Sequence, residues 1–285
     1  MNHARFTAAV RTAVAGFALL AFAAAATGQT QPKDKEFSPQ VGQAGKDVIW
    51  VPTPDDLVER MLRMAQTTPN DFVVDLGSGD GRTVIAAAKR FGARSLGIEY
   101  NPDMVDLSTR NATREGVGAK AKFIRGDIFE QDFSQATVVT MYLLPGLNIK
   151  LRPRILDMKP GTRVVSHQFN MDDWQPDEVT NLDGRRAYLW IVPAKVQGQW
   201  RIQSGAESWD LSLDQKYQVI EGTVRLGAMN AGLREVRLVG DRITFAFVDN
   251  SGVRRDFSGR VNGQTMDGAM RTEGGAEGKW TAARR

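Results

Sequence analysis

The sequence predicts an α/β fold, a doubly wound parallel sheet with an antiparallel edge hairpin, followed by a small all-β domain. Three observations carry that expectation. Strand and helix patterns alternate from Phe72 to Val192, as they do when parallel strands are linked by crossover helices. The first strand runs into Gly77-Ser78-Gly79-Asp80-Gly81, a glycine-rich turn that opens a helix. After Pro193 no helical period survives, and 13 of the 28 glycines fall in residues 197–285, which places turns between short strands.

Residues 1–28 carry Arg5 and Arg11, an apolar run from Thr12 to Ala26 and a small-residue end at Ala24-Ala25-Ala26, the pattern of a secretory signal peptide. Export to a periplasm is the expectation; a membrane anchor retained at residues 12–26, or a cytoplasmic protein with a mis-assigned start codon, are the alternatives. Residues 29–47 are rich in Gln, Lys, Pro and Gly without apolar periodicity and read as a flexible linker. The α/β domain occupies residues 48–196. Thr53-Pro54-Asp55-Asp56 supplies an N-cap, a first-turn proline and acids to a helix whose apolar face is Leu57, Val58, Met61, Leu62 and Ala65. Val73 and Val74 suit a strand buried on both faces. A helix from Arg82 to Phe91 stops at Gly92, Ser95 to Glu99 is the second strand, and Asn101-Pro102 caps a helix ending near Gly116. Lys122 to Arg125 and Thr137 to Tyr142 are strands three and four, Ile149 to Met158 is a helix, and Arg163 to Phe169 is strand five. Val179 to Leu182 and Arg186 to Val192, joined through Asp183-Gly184, form the hairpin.

Residues 197–285 read as a separate antiparallel sheet or small barrel. Trp209, Leu211, Leu213, Tyr217 and Val219 hold odd-numbered spacing, and Ile243, Phe245 and Phe247 repeat it. Glu221-Gly222-Thr223-Val224 and Ser258-Gly259-Arg260-Val261 hint at an internal repeat.

With 42% hydrophobic and 25% charged residues the chain has material for a sizeable core. Setting Arg5 and Arg11 aside takes the net charge from +4 to about +2, and no dense Lys/Arg tract interleaves with aromatics, so nucleic acid is not an expected partner. The chain has no cysteine, which excludes disulfides and thiolate metal sites. His167 is the only histidine outside residues 1–28, which excludes a histidine-cluster metal site; a lone histidine at a strand end is ordinarily structural.

The chemistry concentrates where strands end, because ligands of doubly wound folds lie outside the carboxyl ends of the strands. Gly77, Gly79 and Gly81 alternate, whereas a dinucleotide fingerprint puts its third glycine three residues after the second, where this chain has Arg82. Asp75 sits two residues before Gly77. This pattern points away from NAD and toward S-adenosylmethionine, whose sulfonium and amino group favour nearby carboxylates and whose carboxylate can use the amides of Gly77, Ser78 and Gly79. Glu99, 24 residues after Asp75, is placed to accept both ribose hydroxyls, with Tyr100 beside it. Asp127 is placed to accept from the adenine amino group and Ile128 to pack the ring; an acid closing a turn after Gly126 is the plainer reading of Asp127. Asp80 faces the methionyl amine or caps the following helix. Tyr142, at the end of strand four, borders the transferable methyl and offers an aromatic face to a cation, or is a core tyrosine with a satisfied hydroxyl. Phe169 and Trp174 are further candidates for a substrate channel.

Val51-Pro52-Thr53-Pro54, the glycine-rich loop with Asp75, Gly97-Ile98-Glu99-Tyr100-Asn101-Pro102, Gly126-Asp127-Ile128-Phe129, Leu143-Leu144-Pro145, and Val164 to Phe169 with Trp174-Gln175-Pro176 occur in that order. Together they resemble class I S-adenosylmethionine-dependent methyltransferases of the Rossmann-like fold. More narrowly they resemble the group containing the lysine methyltransferases of the ATP synthase c-subunit and the adenine nucleotide translocase, with their prokaryotic relatives. The resemblance covers residues 48 to 193. It implies cofactor contacts at Asp75, Gly77, Glu99 and Asp127, and a protein lysine, of a soluble or membrane-embedded partner, as methyl acceptor. Two other readings share the pocket: an exported binding protein that retains it without turnover, and a small-molecule or O-methyltransferase.

Overall fold

The computed structural model describes residues 37–275 and 277–285 and builds two sheets. The signal or anchor segment at 1–28 and residues 29–36 of the expected linker lie outside the described residues. Among the described residues no helix is long and apolar enough to cross a membrane.

The first layer runs α1 (Asp55–Met64), β1 (Phe72–Leu76), α2 (Arg82–Phe91), β2 (Arg94–Glu99), α3 (Pro102–Arg114), β3 (Ala121–Arg125), β4 (Val138–Met141), α4 (Pro145–Leu156), β5 (Arg163–His167), β6 (Glu178–Leu182) and β7 (Arg185–Ile191). Its strands lie in the order β3-β2-β1-β4-β5-β7-β6, with β7 antiparallel to both neighbours. The hairpin therefore folds back so that its second strand, not its first, joins β5. Strand order reverses on either side of β1, which opens a crevice between the carboxyl ends of β1 and β4. Alternation of side chains across β1 explains why, apart from Asp75, it is apolar on both faces. Val73 packs with Leu57, Val58, Met61 and Leu62 of α1, while Val74 and Leu76 pack with Leu151 and Ile155 of α4 on the opposite face. Each such fully buried side chain contributes about 1.5–3 kcal/mol.

Two local expectations differ from the structure. Helix α4 starts four residues before Ile149, because Pro145 takes the first helical position, where its missing N–H costs nothing. The N-cap of α1 is Pro54 and no side chain caps it. The Thr53 hydroxyl instead meets His167 Nδ1 at 3.0 Å, a buried partner that satisfies the hydroxyl where a helix amide exposed to water needs it less.

The second layer is a nine-stranded antiparallel sheet: β8 (Gly198–Ser204), β9 (Glu207–Lys216), β10 (Val219–Leu226), β11 (Met229–Gly232), β12 (Arg234–Val239), β13 (Arg242–Val248), β14 (Arg254–Asn262), β15 (Thr265–Thr272) and β16 (Glu277–Arg284). The order is β11-β10-β9-β8-β16-β15-β14-β13-β12, and Leu233, between the two edge strands, donates its amide to Gly222 O of β10 at 2.9 Å. The sheet thus curls almost into a barrel. Gly222 and Gly259 sit mid-strand where a Cβ would lie within 2.5 Å of a neighbouring strand's carbonyl oxygen, so the two glycine stretches mark close strand approaches. Its concave face is filled by Trp200, Trp209, Phe245, Phe247, Phe257 and Trp280, with Phe245 and Phe257 stacked at 4.8 Å. The odd-numbered alternation ends at Leu213. Tyr217 has φ +57° in the turn between β9 and β10 and packs against the first layer, and Val219 is exposed.

The amino ends of the first-layer strands are clamped by Asp71, 7% exposed, whose carboxylate accepts from Thr137 Oγ1 at 2.7 Å and Thr68 N at 2.7 Å and pairs with Arg163. Burial raises its pKa, but these hydrogen bonds outweigh it and hold the group below the usual carboxylate range. Replacing Asp71 with Ala should cost about 3 kcal/mol in urea melts at pH 7, since Arg163 loses its partner. The folded pKa being depressed, this contribution is complete above the unfolded value near 4 and vanishes as pH falls through the folded value. Stability of the variant should therefore vary less with pH in the acid range than that of the parent.

Candidate functional site

At the crevice lies a cavity of about 620 Å³, lined by the glycine loop, Asp75, Glu99, Asp127, Ile128, Tyr142 and Phe169. Its volume lies within the range of small-ligand and cofactor sites. Strand ends deliver the three acids to it, one each from β1, β2 and the turn after β3.

Asp75 is 7% exposed and accepts from the buried Thr140 hydroxyl at 2.6 Å. Burial lifts its pKa to about 7; hydrogen bonds from Thr140 and Thr83 oppose the rise, while repulsion from Glu99 and Asp80 adds to it. Such a carboxyl has strong reason to ionise beside a cation. Glu99 accepts Gly79 N–H through one oxygen and Asn101 N–H through the other, both at 2.9 Å, which fixes its rotamer and leaves a second lone pair on each oxygen for hydroxyl donors. Asp127 accepts Phe129 N–H at 2.9 Å and pairs with Lys46 Nζ at 2.5 Å, and these contacts, Lys46 foremost, hold its carboxyl low. Tyr100, 47% exposed, lies under the Lys46 ammonium, and Ile128 is half-buried in the lining.

The loop amides differ from expectation. Gly77 and Ser78 both donate to Ile98 O, Gly79 to Glu99 and Gly81 to Ser78 O. The first three hold the loop on β2 and the fourth closes the loop on itself, rather than pointing at a ligand carboxylate. The glycines are needed for shape: Gly79 has φ +53°, and a Cβ there would lie 2.7 Å from Trp50 Nε1. Ser78 Oγ is buried without a hydrogen-bond partner. Asp80 lines the cavity, forms an ion pair with Arg82 at 2.6 Å and accepts Arg82 N–H at 3.3 Å, while the N-cap of α2 is Gly81 and no side chain caps that helix.

The opposite wall is aromatic. Tyr142, half-buried, packs on His167 with ring centroids 3.8 Å apart and on Phe169 at 6.2 Å. Burial, helped by the Arg185 charge, takes the His167 pKa down to about 4, so the ring is neutral at physiological pH and holds Tyr142 without adding charge. It is the structural histidine the sequence implies. Trp174 does not line the cavity: it is fully buried between Trp190 and Tyr217, and its indole N–H donates to Gln218.

Sequence reasoning placed residues 43–47 in the linker and gave residues 48–53 no part in the cavity, yet Gly42 and Trp50 are hydrogen-bonded, Ala44 bridges Ile49, and the strap at 43–53 lines the cavity throughout. Arg82 anchors it through Thr53 O at 3.0 Å. Nothing periodic marks residues 43–49, and the side-chain partners that fasten the strap, Asp127, Tyr100 and the glycine loop, are distant in sequence. Among the described residues no cluster of His, Asp or Glu is disposed to hold a metal.

The family model described as the ANTKMT methyltransferase domain matches residues 75–178, and one described as a DNA methylase matches residues 33–110. A protein-lysine N-methyltransferase of Saccharolobus islandicus (strain REY15A) is 42% identical over 151 residues, 51% of this chain and 94% of that protein. The lysine N-methyltransferase of the ATP synthase c-subunit from Homo sapiens is 36% identical over 132 residues, 46% of this chain; the match spans 56% of the human protein's length. Among solved structures, an RNA methyltransferase from Salinibacter ruber in complex with S-adenosyl-L-homocysteine is 50% identical with a TM-score of 0.51, covering 51% of this chain and 96% of that one.

Because the Asp75 pKa is raised, its contribution to folding is full below the unfolded value near 4 and is lost as pH rises to about 7. Stability of the ligand-free protein should decline over that window. Asp75→Asn should remove the decline and gain on the order of 2 kcal/mol at pH 8, read from urea melts across pH. An unchanged pH profile would place the ionisation elsewhere.

Proposed function

As the chain belongs to the class I S-adenosylmethionine-dependent methyltransferases, in the group that carries the ANTKMT methyltransferase domain, we propose that its methyl acceptor is the ε-amine of a protein lysine. The observation that carries this reading is the two-ended cavity, with Asp75, Glu99 and Asp127 on one side and the uncharged wall of Tyr142 and Phe169 on the other, Tyr142 being backed by neutral His167. The acids suit a cationic nucleoside: Asp75 the charged end, Glu99 the ribose hydroxyls, and Asp127 with Ile128 the adenine. Bound there, S-adenosylmethionine supplies a methyl group on a sulfonium leaving group.

What the chain must do is align and dehydrate the amine. Methyl transfer is an in-line displacement, and holding the nucleophile close to the methyl carbon supplies much of the rate. A lysine amine enters as a nucleophile only after losing its proton, which an uncharged, water-poor wall favours. His167, with its pKa near 4, is a weak base for that proton. Tyr142 and Phe169 give the alkyl stem and the amine an apolar and π-rich surface.

The rim supports a protein acceptor. Ile49 is 60% exposed, Leu144 47% and Val51 37%, all on the cavity lining, an apolar collar suited to an apolar protein surface around the target lysine, including that of a membrane-embedded protein. The same collar disfavours an RNA phosphate backbone, although the Salinibacter ruber relative is described as an RNA methyltransferase.

Glu99→Gln should weaken binding of S-adenosylmethionine by about 1–3 kcal/mol in titration calorimetry, by removing one acceptor of a bidentate set. Unchanged affinity would dismiss the ribose assignment. Methyl-labelled S-adenosylmethionine, incubated with the purified chain and a membrane-protein fraction, should yield labelled methyl-lysine on acid hydrolysis. Label recovered in RNA nucleosides or small molecules, with none in lysine, would refute the acceptor.

A further inference from the structure

We propose that the tip of the β9–β10 hairpin, Lys216-Tyr217-Gln218, is a positioning element of the active site, holding the loop at residues 168–175, and with it Phe169, in place as the acceptor wall. This rests on the reading above that Tyr142 and Phe169 wall the acceptor side.

The loop after β5 is strained. Gln168 has φ +66° and Asp172 φ +60°, left-handed conformations that each cost a non-glycine residue about 1–3 kcal/mol and persist only where surroundings over-determine them. Part of that restraint comes from the first layer. Gln168 N–H donates to Arg186 O at 2.7 Å, the Asn148 amide to Phe169 O at 3.1 Å, and Arg152 to Met171 O at 2.8 Å. The rest comes from the second sheet. Gln218 holds the loop twice, accepting the Trp174 indole N–H at 2.9 Å and donating to Gln175 O at 2.7 Å. Tyr217 donates its hydroxyl to Asp173 at 3.0 Å and stacks on Trp174 with centroids 5.7 Å apart, and Lys216 pairs with Asp173 at 3.2 Å. Tyr217 itself has φ +57°, in the two-residue turn that pairs Lys216 with Val219.

These contacts are all made by three consecutive residues, and all fall on residues 173–175. The remainder of the second sheet has a buried aromatic core, and among these contacts only the hairpin tip reaches the loop. The Saccharolobus islandicus and Salinibacter ruber relatives match about half this chain over 94% and 96% of their own lengths, which leaves little length in either for a second sheet. In this chain the loop is fastened from outside the shared domain.

The test uses the full chain with Gln218→Ala and, separately, Tyr217→Ala, each at a half-buried position away from the cavity. Hydrogen–deuterium exchange should rise about tenfold in residues 168–175 and stay unchanged in β13 to β15. With Nα-acetyl-lysine amide and a histone mixture as acceptors, KM should rise about fivefold or more while kcat and the Kd for S-adenosylmethionine stay within about twofold. Tyr217→Phe, which keeps the stack, should recover most of the effect. Unchanged exchange in the loop, or a loss of cofactor affinity that matches the rise in KM, overturns the proposal. Phe169→Ala separates the two readings. If it raises KM and the hairpin variants do not, only the positioning role is lost. If it leaves KM unchanged, or the unaltered protein methylates neither acceptor, the acceptor wall is misplaced and the positioning role falls with it.

Discussion

A carboxylate buried at the carboxyl end of the central strand is the constraint on which the site depends. Asp75 is enclosed by β1 and β4, within the field of Glu99 and Asp80, and its affinity for a proton rises accordingly. A fold does not gain from such a group. Thr140 and Thr83 reduce the penalty but do not remove it, and the glycine loop ties its amides to Ile98 and Glu99 rather than to Asp75. The carboxylate is left under-compensated in a cavity, an arrangement that a bound cation relieves. The chain thus carries a local destabilisation whose compensation lies in its cofactor.

The cavity's two ends follow opposite electrostatic rules for the same underlying reason. Burial raises Asp75 and lowers His167, and in both cases the neutral form is the one favoured. At the acidic end that tendency is reversible, because a positively charged ligand restores the carboxylate. At the aromatic end it is wanted as it stands, since a protonated histidine behind Tyr142 would repel a cationic reaction centre. Thr53 completes this by pairing with His167 Nδ1, which ties the lead-in to α1 to the base of the aromatic wall.

Two segments outside the doubly wound core shape the cavity from either side. The strap at 43–53 lies over the acidic end, with Lys46 between Asp127 and Tyr100, and Arg82 secures it to the start of α2. The β9–β10 hairpin bears on the loop behind the aromatic end. The strap has no apolar repeat of its own, whereas β9 and β10 alternate and pair within the second sheet and only the tip, Lys216 to Gln218, turns to the loop.

The strands, helices and strand-end acids follow from the sequence by itself, because the signals are local. Apolar residues on both faces of β1, the alternating glycines after it, and Asp75 and Glu99 at consecutive strand ends are all read within a few residues. Only the tertiary structure decided what those groups touch. Lys46 meets Asp127 across 81 residues, Thr140 meets Asp75 across 65, Thr53 meets His167 across 114, and Gln218 meets Trp174 across 44. It also decided that Trp174 belongs to the core and that Tyr217 leaves its strand's alternation to cover it. Periodicity records which face of an element is apolar, whereas partners are chosen by where the sheet order and the hairpin bends bring distant backbone together, and no short stretch of sequence encodes that distance.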